Sequence, residues 1–217
     1  MKNKKFYFSV LACLIPVVIG LLFYNQLPDT IPSHWNGAGE IDGYMDKNFV
    51  IFGTPIFMIG IQTLVIWAMC KDPKFANIPK VMFNLMYVFI PVLYIIIMSI
   101  SINSALDTGI DLNVGTIMEF LIGVLFLLIG NYMPKCKQSY TVGIKTPWAL
   151  DDEENWNKTH RFAGFLWTAG GIIMFVLALL QTNMDTSFIL IGIVLIMAII
   201  PYIYSYLLYS KKQKSQK

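Results

Sequence analysis

Six long apolar runs constrain this chain more than any other feature. They lie at about 6–24, 48–69, 81–102, 113–133, 162–180 and 187–209. Each is close to the ~20 residues that a helix needs to cross ~30 Å of hydrocarbon. Backbone amides cannot stay unpaired in lipid, so the runs predict helices. Only 13% of the residues are charged, about half the share of a soluble domain. We therefore predict an all-α, polytopic membrane protein with six transmembrane helices.

Basic side chains predict the orientation of these helices. Of the 16 Lys and Arg residues, all except Lys47 fall on one side of the predicted spans: Lys2, Lys4, Lys5, Lys71, Lys74, Lys80, Lys135, Lys137, Lys145, Lys158, Arg161, Lys211, Lys212, Lys214 and Lys217. The positive-inside rule places that side in the cytoplasm. We expect a multi-pass protein with both termini cytoplasmic (N-in/C-in).

The spans divide into two halves of three. Residues 1–103 contain three helices and the long extracellular loop 25–47. Residues 104–217 contain three helices, the cytoplasmic loop 134–161 and a basic tail. Because three is odd, the halves enter the membrane from opposite sides, as the inverted repeats of many secondary transporters do. A small secondary transporter or exporter built from inverted three-helix halves is therefore an alternative function.

The patterns that mark enzymes and metal sites are absent from the sequence. Cys13, Cys70 and Cys136 show no C-x-x-C or Cys/His metal spacing. No H-E-x-x-H, G-x-S-x-G or phosphate-binding loop occurs. We predict no catalytic residue, no metal, no cofactor and no direct contact with nucleic acid, so the protein is not expected to be an enzyme.

The outer loop, "NQLPDTIPSHWNGAGEIDGYMDK", has the composition of a folded, non-helical segment. Its prolines favour extended backbone, and its glycines permit tight turns. The candidates for ligand contact are His34, Trp35, Asn36, Gly39 and Asp42. An alternative is that Trp35 anchors the loop at headgroup depth, as aromatic belts do, beside a solvated His34.

The inner loop contains four consecutive acids, residues 151–154. Asp151 is placed to cap a new helix, with Glu154 completing a capping box. Glu154 and Lys158 have the i, i+4 spacing of a helical ion pair. Successive helical side chains point in different directions, so the acids indicate a helix start and not a metal site.

Two of the spans contain residues that indicate more than contact with lipid. Glu119 interrupts the fourth span, and an intramembrane acid indicates a functional site. The alternative is that it snorkels to the headgroups or packs in a protonated, hydrogen-bonded state. On the fifth span, Gly164, Thr168 and Gly171 form one small-residue face suited to close helix contact. His160, one turn before that face, is expected to be a hydrogen-bonding residue and not a catalytic base.

The inner segment "GNYMPKCKQSYTVGIKTPWALDDEENWNKTHRFAG" resembles the signature of the SdpI-type immunity protein family. That pattern has Gly-Asn, Pro-Lys, an Asn, Gly-Ile-Arg-Thr-Pro-Trp, and Trp-x-x-Thr-His-Arg at fixed spacing. Here Lys145 stands where the family usually has Arg, and Ser139 where it usually has Asn. The outer "LPDTIPSHWNGAGEIDGYMDK" resembles the domain of unknown function that often precedes it. Together the two segments and their flanking helices cover well over half the chain.

The resemblance implies a protein of the bacterial cell membrane that protects its cell from a secreted, membrane-active peptide toxin. In the system that named the family, the immunity protein also signals by holding a cytoplasmic autorepressor, a transcriptional repressor, at the membrane. The implied partners are thus a peptide toxin outside, a repressor inside and the lipid bilayer. The residues implied to shape the inner site are Asn131, Lys145, Thr146, Pro147, Trp148, Trp156, Thr159, His160 and Arg161.

Overall fold

The computed structural model describes residues 4–37, 39–110, 112–180 and 186–215. In that part of the chain, six helical segments are long and apolar enough to cross a membrane: Lys4–Leu22, Phe49–Cys70, Lys80–Leu106, Val114–Lys135, Glu153–Leu180 and Phe188–Ser215. The prediction of a six-span helical membrane protein is confirmed. The fifth segment starts well before the predicted residue 162, because helical hydrogen bonding continues beyond the apolar part of the run.

The elements are α1 (Lys4–Ala12), α2 (Ile15–Leu22), β1 (Thr30–Trp35), β2 (Ile41–Asp46), α3 (Thr54–Cys70), α4 (Lys80–Leu106), α5 (Val114–Tyr132), α6 (Pro147–Asp151), α7 (Glu153–Leu180) and α8 (Ser187–Ser215). A π-helical turn, Phe49–Gly53, leads into α3. The first span is interrupted between α1 and α2, ahead of Pro16, since proline has no N–H with which to continue the helical ladder.

The chain divides into two compact units, Met1–Ala68 with Phe83–Gly115 and Met69–Met82 with Thr116–Lys217. The core of the first unit consists of Cys13, Leu27, Ile31, Val50, Ile51, Tyr94, Met98 and Ile102. Ile31 comes from β1 and is fully buried. Strand β1 therefore packs on the helices of its own unit, and β2 is held there by its pairing with β1.

Sequence analysis did not predict the hairpin of β1 and β2. The strands pair antiparallel, with irregular register around His34. At the turn, the backbone N–H of Glu40 donates to Asn36 Oδ1 at 3.0 Å. Gly39 has φ +82, a conformation that favours glycine. Gly43 lies against His34, where an added Cβ would be 2.9 Å from the His34 Cβ, so this strand pair requires glycine there.

In the second unit, α5 and α7 approach each other along small residues. A Cβ added at Gly130 would lie 2.6 Å from the backbone N of Thr168, and one at Gly171 would lie 2.6 Å from that of Leu127. The Thr168 hydroxyl turns back onto its own helix and donates to the Gly164 carbonyl at 2.8 Å. The predicted small-residue face is confirmed, and the helix it contacts is α5.

The helix start predicted at Asp151 is wrong by one residue. Thr146 caps the short helix α6, so Asp151 lies at the end of a helix and not before one. Asp152 takes the capping role, because its Oδ1 accepts from the N–H of Glu154 at 3.0 Å. The predicted ion pair between Glu154 and Lys158 is present, at 2.7 Å.

Candidate functional site

Residues 136–152, here called the connector, join α5 to α7. Gln138 is one of its anchors. The Gln138 side chain accepts from Lys74 Nζ at 2.9 Å and donates to the Ala149 carbonyl at 2.9 Å. The Gln138 carbonyl accepts from Asn77 Nδ2 at 2.7 Å. These bonds fix the connector to the loop between α3 and α4.

Asp72, from that same loop, is the second anchor. Its Oδ2 accepts hydrogen bonds from the hydroxyls of Ser139 at 2.6 Å and Thr141 at 2.7 Å. The same oxygen accepts from the backbone N–H groups of Tyr140 and Thr141, each at 2.9 Å. Oδ1 accepts from the N–H of Lys74 at 2.8 Å. One carboxylate therefore holds three consecutive connector residues.

These contacts also set the charge of Asp72. The residue is 6% exposed, and burial acts to raise the pKa of a carboxyl. Hydrogen bonds from Ser139, Thr141 and Lys74 outweigh burial and lower the pKa of Asp72 from 3.8 to about 2. Asp72 is thus an anion at neutral pH, and hydrogen bonds to an ionised acceptor are stronger than neutral ones.

His160 supports the middle of the connector. The backbone N–H of Ile144 donates to His160 Nε2 at 3.0 Å, and His160 Nδ1 is 2.9 Å from the Trp156 carbonyl. A carbonyl only accepts, so Nδ1 carries the proton and Nε2 is bare, which defines a neutral imidazole. The ring stacks on Trp156 with centroids 3.9 Å apart. With both nitrogens engaged, His160 acts as a hydrogen-bonding residue, as expected.

A buried polar network ties the connector to α7 and α8. Thr146 Oγ1 is 2.8 Å from Ser205 Oγ, and Ser205 Oγ donates to Asn155 Oδ1 at 2.7 Å. Asn155 Nδ2 donates to the Ser205 carbonyl at 2.9 Å, and Thr159 Oγ1 donates to Asn155 Oδ1 at 3.1 Å. All four side chains are at most 3% exposed. Buried networks of this kind specify one geometry when every member is paired.

The predicted inner-site residues separate into two groups. Thr146, Trp156, Thr159 and His160 are buried, and they hold the connector in the ways just described. The outward-facing group contains the exposed Asn131, Lys145, Pro147 and Arg161 and the half-buried Trp148. The Trp148 ring lies against three tyrosines of α8, namely Tyr202, Tyr206 and Tyr209. The connector and α8 thus share one aromatic surface.

The predicted outer residues all lie on the hairpin. His34 Nδ1 is 2.5 Å from Asp42 Oδ1. The His34 side chain is 72% exposed, whereas Trp35 is half-buried. Trp35 and Gly39 line a cavity of about 430 Å³, and Asn36 closes the turn beside it. His34 and Trp35 therefore have different surroundings although they are adjacent in sequence.

Glu119 lies in the interior of the second unit. It is 8% exposed, and the buried Thr186 donates its hydroxyl to Glu119 Oε1. The carboxyl borders a pocket of about 220 Å³ whose other lining residues, such as Met174 and Leu195, are apolar. Of the alternatives for this acid, snorkelling to the headgroups disagrees with the structure, because the side chain points inward to a partner.

Sequence analysis missed several polar residues of this site, and three of them are Asp72, Asn155 and Ser205. A signal existed for two of them. Asp72 is the single acid in "KDPKFANIPK", and Ser205 is a single serine in the apolar stretch "IIPYIYSYLLY". A polar residue inside a span usually has a specific partner. Asn155 gave no signal, since it stands in the polar first turn of α7.

These features define a six-span membrane protein whose polar connector is held by buried hydrogen bonds. Residues 135–205 match the SdpI/YfhL protein family, and residues 11–59 match the Domain of unknown function (DUF1648). The chain is 27% identical over 213 residues to Immunity protein SdpI of Bacillus subtilis (strain 168), which covers 98% of this chain and 100% of that protein. The resemblance to the SdpI family and to its N-terminal companion domain is thus confirmed by these matches. No solved structure matches it.

Proposed function

We propose that this protein is a membrane immunity protein that protects its cell from a secreted, membrane-active peptide toxin. The observation that carries the proposal is the similarity to a whole immunity protein, 98% of this chain against 100% of the relative. That alignment includes the hairpin as well as the connector. Immunity by binding needs surfaces and not catalytic groups, which agrees with a site made of structural hydrogen bonds.

The orientation belongs to the same proposal. Nearly all the lysines lie on one side of the spans, so the positive-inside rule places both termini in the cytoplasm of a bacterial cell. The hairpin then faces the exterior, where a secreted peptide arrives. Its candidate contact residues are His34, Trp35, Asn36, Gly39 and Asp42.

The connector then faces the cytoplasm, and we propose that it holds a transcriptional repressor at the membrane when toxin is present. The outward-facing group supplies the contact surface: Asn131, Lys145, Pro147, Trp148 and Arg161. Trp and Arg are the residues on which protein interfaces most often depend. The buried group keeps this surface in shape without touching the partner.

Toxin challenge of cells tests the proposal. Cells that lack the gene are expected to be killed by a secreted peptide that wild-type cells survive. Trp35→Ala should lower survival about tenfold, as the loss of a central aromatic contact does. Trp148→Ala should leave survival intact and reduce the toxin-induced expression of neighbouring genes. The matched control is Trp67→Ala on α3, which removes a 58% exposed tryptophan and should change neither readout.

Two outcomes separate the parts of this proposal. Null cells that survive every candidate peptide as well as wild-type cells do would show that immunity is wrong. A Trp148→Ala protein that inserts normally and leaves the reporter response unchanged would remove the repressor site and leave immunity standing.

One observation favours the transporter alternative, namely the buried Glu119 beside its apolar pocket. Acidic residues inside membrane spans mark the substrate and ion pathways of many transporters. In proteoliposomes, a transporter would show substrate- or proton-dependent flux that Glu119→Gln abolishes. Gln keeps an oxygen for Thr186, so the fold should persist. Glu153→Gln, an exposed acid at the start of α7, is the control, and the absence of flux for peptides and ions would reject this function.

A further inference from the structure

The cavity beside the hairpin turn lies wholly within the first unit. Its volume is about 430 Å³, and its walls come from the hairpin, the end of α4 and the start of α5. Trp35 forms one wall. Glu40, Asp107 and Thr108 line it and are exposed, so the cavity is open to solvent.

The charged residues described in the lining of the cavity are acidic. Two carboxylates, those of Glu40 and Asp107, border the cavity, and no lysine or arginine is among the described residues that line it. Two carboxylates that border one cavity attract a positively charged ligand. The face of a tryptophan also attracts cations. The acids and Trp35 thus favour the same class of ligand.

Hydrogen bonds hold the polar part of the cavity wall in place. Asn103 Nδ2 donates to the Ile110 carbonyl at 3.1 Å, and Thr108 Oγ1 donates to Asn103 Oδ1 at 2.5 Å. Asn36 Nδ2 donates to Glu40 Oε2 at 2.9 Å. These bonds fix the turn after α4 and orient the Glu40 carboxylate. Pockets that recognise a ligand are usually preformed in this manner.

We propose that this cavity binds the ammonium or guanidinium group of a cationic side chain carried by the peptide toxin. The proposal rests on the immunity function proposed above and names the part of the toxin that is recognised. The group enters between Glu40 and Asp107 and lies against the face of Trp35. His34 and Asp42, which are paired with each other on the hairpin, are not part of this pocket.

Two measurements with small probes test the proposal: one reports the electrostatic potential in the cavity, and the other reports whether a cation binds there. A Ser104→Cys variant places a thiol in the lining, in the full-length protein in vesicles with the exposed Cys70 replaced by Ser. The trimethylammonium-ethyl methanethiosulfonate reagent should react faster than the sulfonatoethyl reagent. After normalisation to the same ratio for a free small thiol, we expect a preference of about tenfold or more for the cationic reagent, because two carboxylates line the same cavity as the introduced thiol.

The double variant Glu40→Gln, Asp107→Asn should lower that ratio about fivefold or more. Asn tolerates positive φ, and Asp107 has φ +46, so the backbone should be kept. The matched control is Asp29→Asn, which removes an exposed acid that does not line the cavity. A ratio that the double variant leaves unchanged would overturn the proposal.

Occupancy is tested with n-butylammonium and n-butanol as competitors of a neutral maleimide at the same introduced thiol. The ammonium should protect the thiol, and the alcohol should not. Protection should be weaker in Trp35→Leu. Equal protection by both compounds would contradict a cation site.

Different results would reject the immunity function and the cation site. If null cells are as resistant as wild-type cells, immunity is wrong, and the vesicle measurements still decide the charge preference of the cavity. If the wild-type gene protects cells from a lysine-bearing toxin and the double variant protects equally well, immunity stands and the cavity is not where the toxin is recognised.

Discussion

Replacing Asp72 by Ala should loosen the connector and lower the free energy of unfolding by about 3–5 kcal/mol, because several buried donors lose their acceptor. Five hydrogen bonds end on this carboxylate. Alanine removes the acceptor of the Ser139 and Thr141 hydroxyls and of the Tyr140 N–H. Each buried donor that is left unpaired costs about 1–3 kcal/mol. The effect should be local at first, since residues 139–141 lose their tie to the 71–79 loop whereas Gln138 keeps its own.

Cys136 reports on this release. It is 3% exposed, and burial raises the pKa of its thiol to about 11, so wild-type protein should react slowly with maleimide. In a background with Cys13→Ala and Cys70→Ser, Asp72→Ala should raise the labelling rate about tenfold or more. Asp29→Ala, which removes an exposed acid, should leave the rate unchanged. An Asp72→Ala protein that melts and labels like wild type would show that the connector is held by other contacts.

The pH dependence of stability gives an independent measurement of the same carboxylate. The pKa of Asp72 falls from 3.8 to about 2 on folding, so its contribution is fully present above about pH 4. As the pH falls from about 4 to 2, about 2 kcal/mol should be lost. Thermal unfolding in detergent should therefore show a steeper decline for wild type than for Asp72→Asn in that window. Equal slopes would contradict the assigned charge.

The spans were predictable because length and apolar composition are local properties of the sequence. The hairpin was not, because its strands are short and its pairing places Pro32 opposite Tyr44 and crosses irregular positions near His34. Prolines and glycines in "LPDTIPSHWNGAGEIDGYMDK" indicated a folded loop but not which residues pair. Register in such a hairpin depends on the burial of Ile31, which is a property of the tertiary structure.

For the site as well, sequence analysis found residues that share a local pattern and missed their partners, which are distant in sequence. The family-like segment pointed to Thr146, Trp156, Thr159 and His160, all of which lie at the connector or next to it. Their partners could not be read from that segment. Asp72 precedes Ser139 by 67 residues, and Asn155 precedes Ser205 by 50 residues. Contacts of that range are set by how helices pack and not by any local pattern.

Four of the nine signature residues are buried, and this changes what their mutation means. Loss of function in His160→Ala would not identify a binding contact, because His160 is fully buried and bonds the connector backbone at Ile144. Trp148→Ala is the more direct test of a surface, since the ring is partly exposed. A signature of this kind therefore records the packing of the connector as much as its chemistry.

Gly143→Ala should be about as damaging as the loss of Asp72, although it only adds a methyl group. Gly143 has φ +115, which L side chains rarely adopt, and such backbone strain costs about 1–3 kcal/mol. The new Cβ would lie 2.4 Å from His160 Nε2 and 2.9 Å from the Trp156 ring. Displacing a stacked, buried pair adds about 1–3 kcal/mol, so we expect a total of about 3 kcal/mol or more.

Substitutions at two other glycines separate the cost of the backbone conformation from the cost of the steric clash. A Cβ at Gly192 meets nothing within 4 Å in an ordinary helix, so Gly192→Ala should be neutral or stabilise by up to about 1 kcal/mol. Gly109 has φ +74 and open space around it, so Gly109→Ala should show the backbone cost alone. In detergent, Gly192→Ala should have the highest melting temperature of the three variants, Gly109→Ala a lower one and Gly143→Ala the lowest. Only Gly143→Ala should also label faster than wild type at Cys136. If Gly143→Ala melted like Gly109→Ala, the His160 and Trp156 stack would be free to move, and the connector would lack the rigid support that its hydrogen bonds indicate.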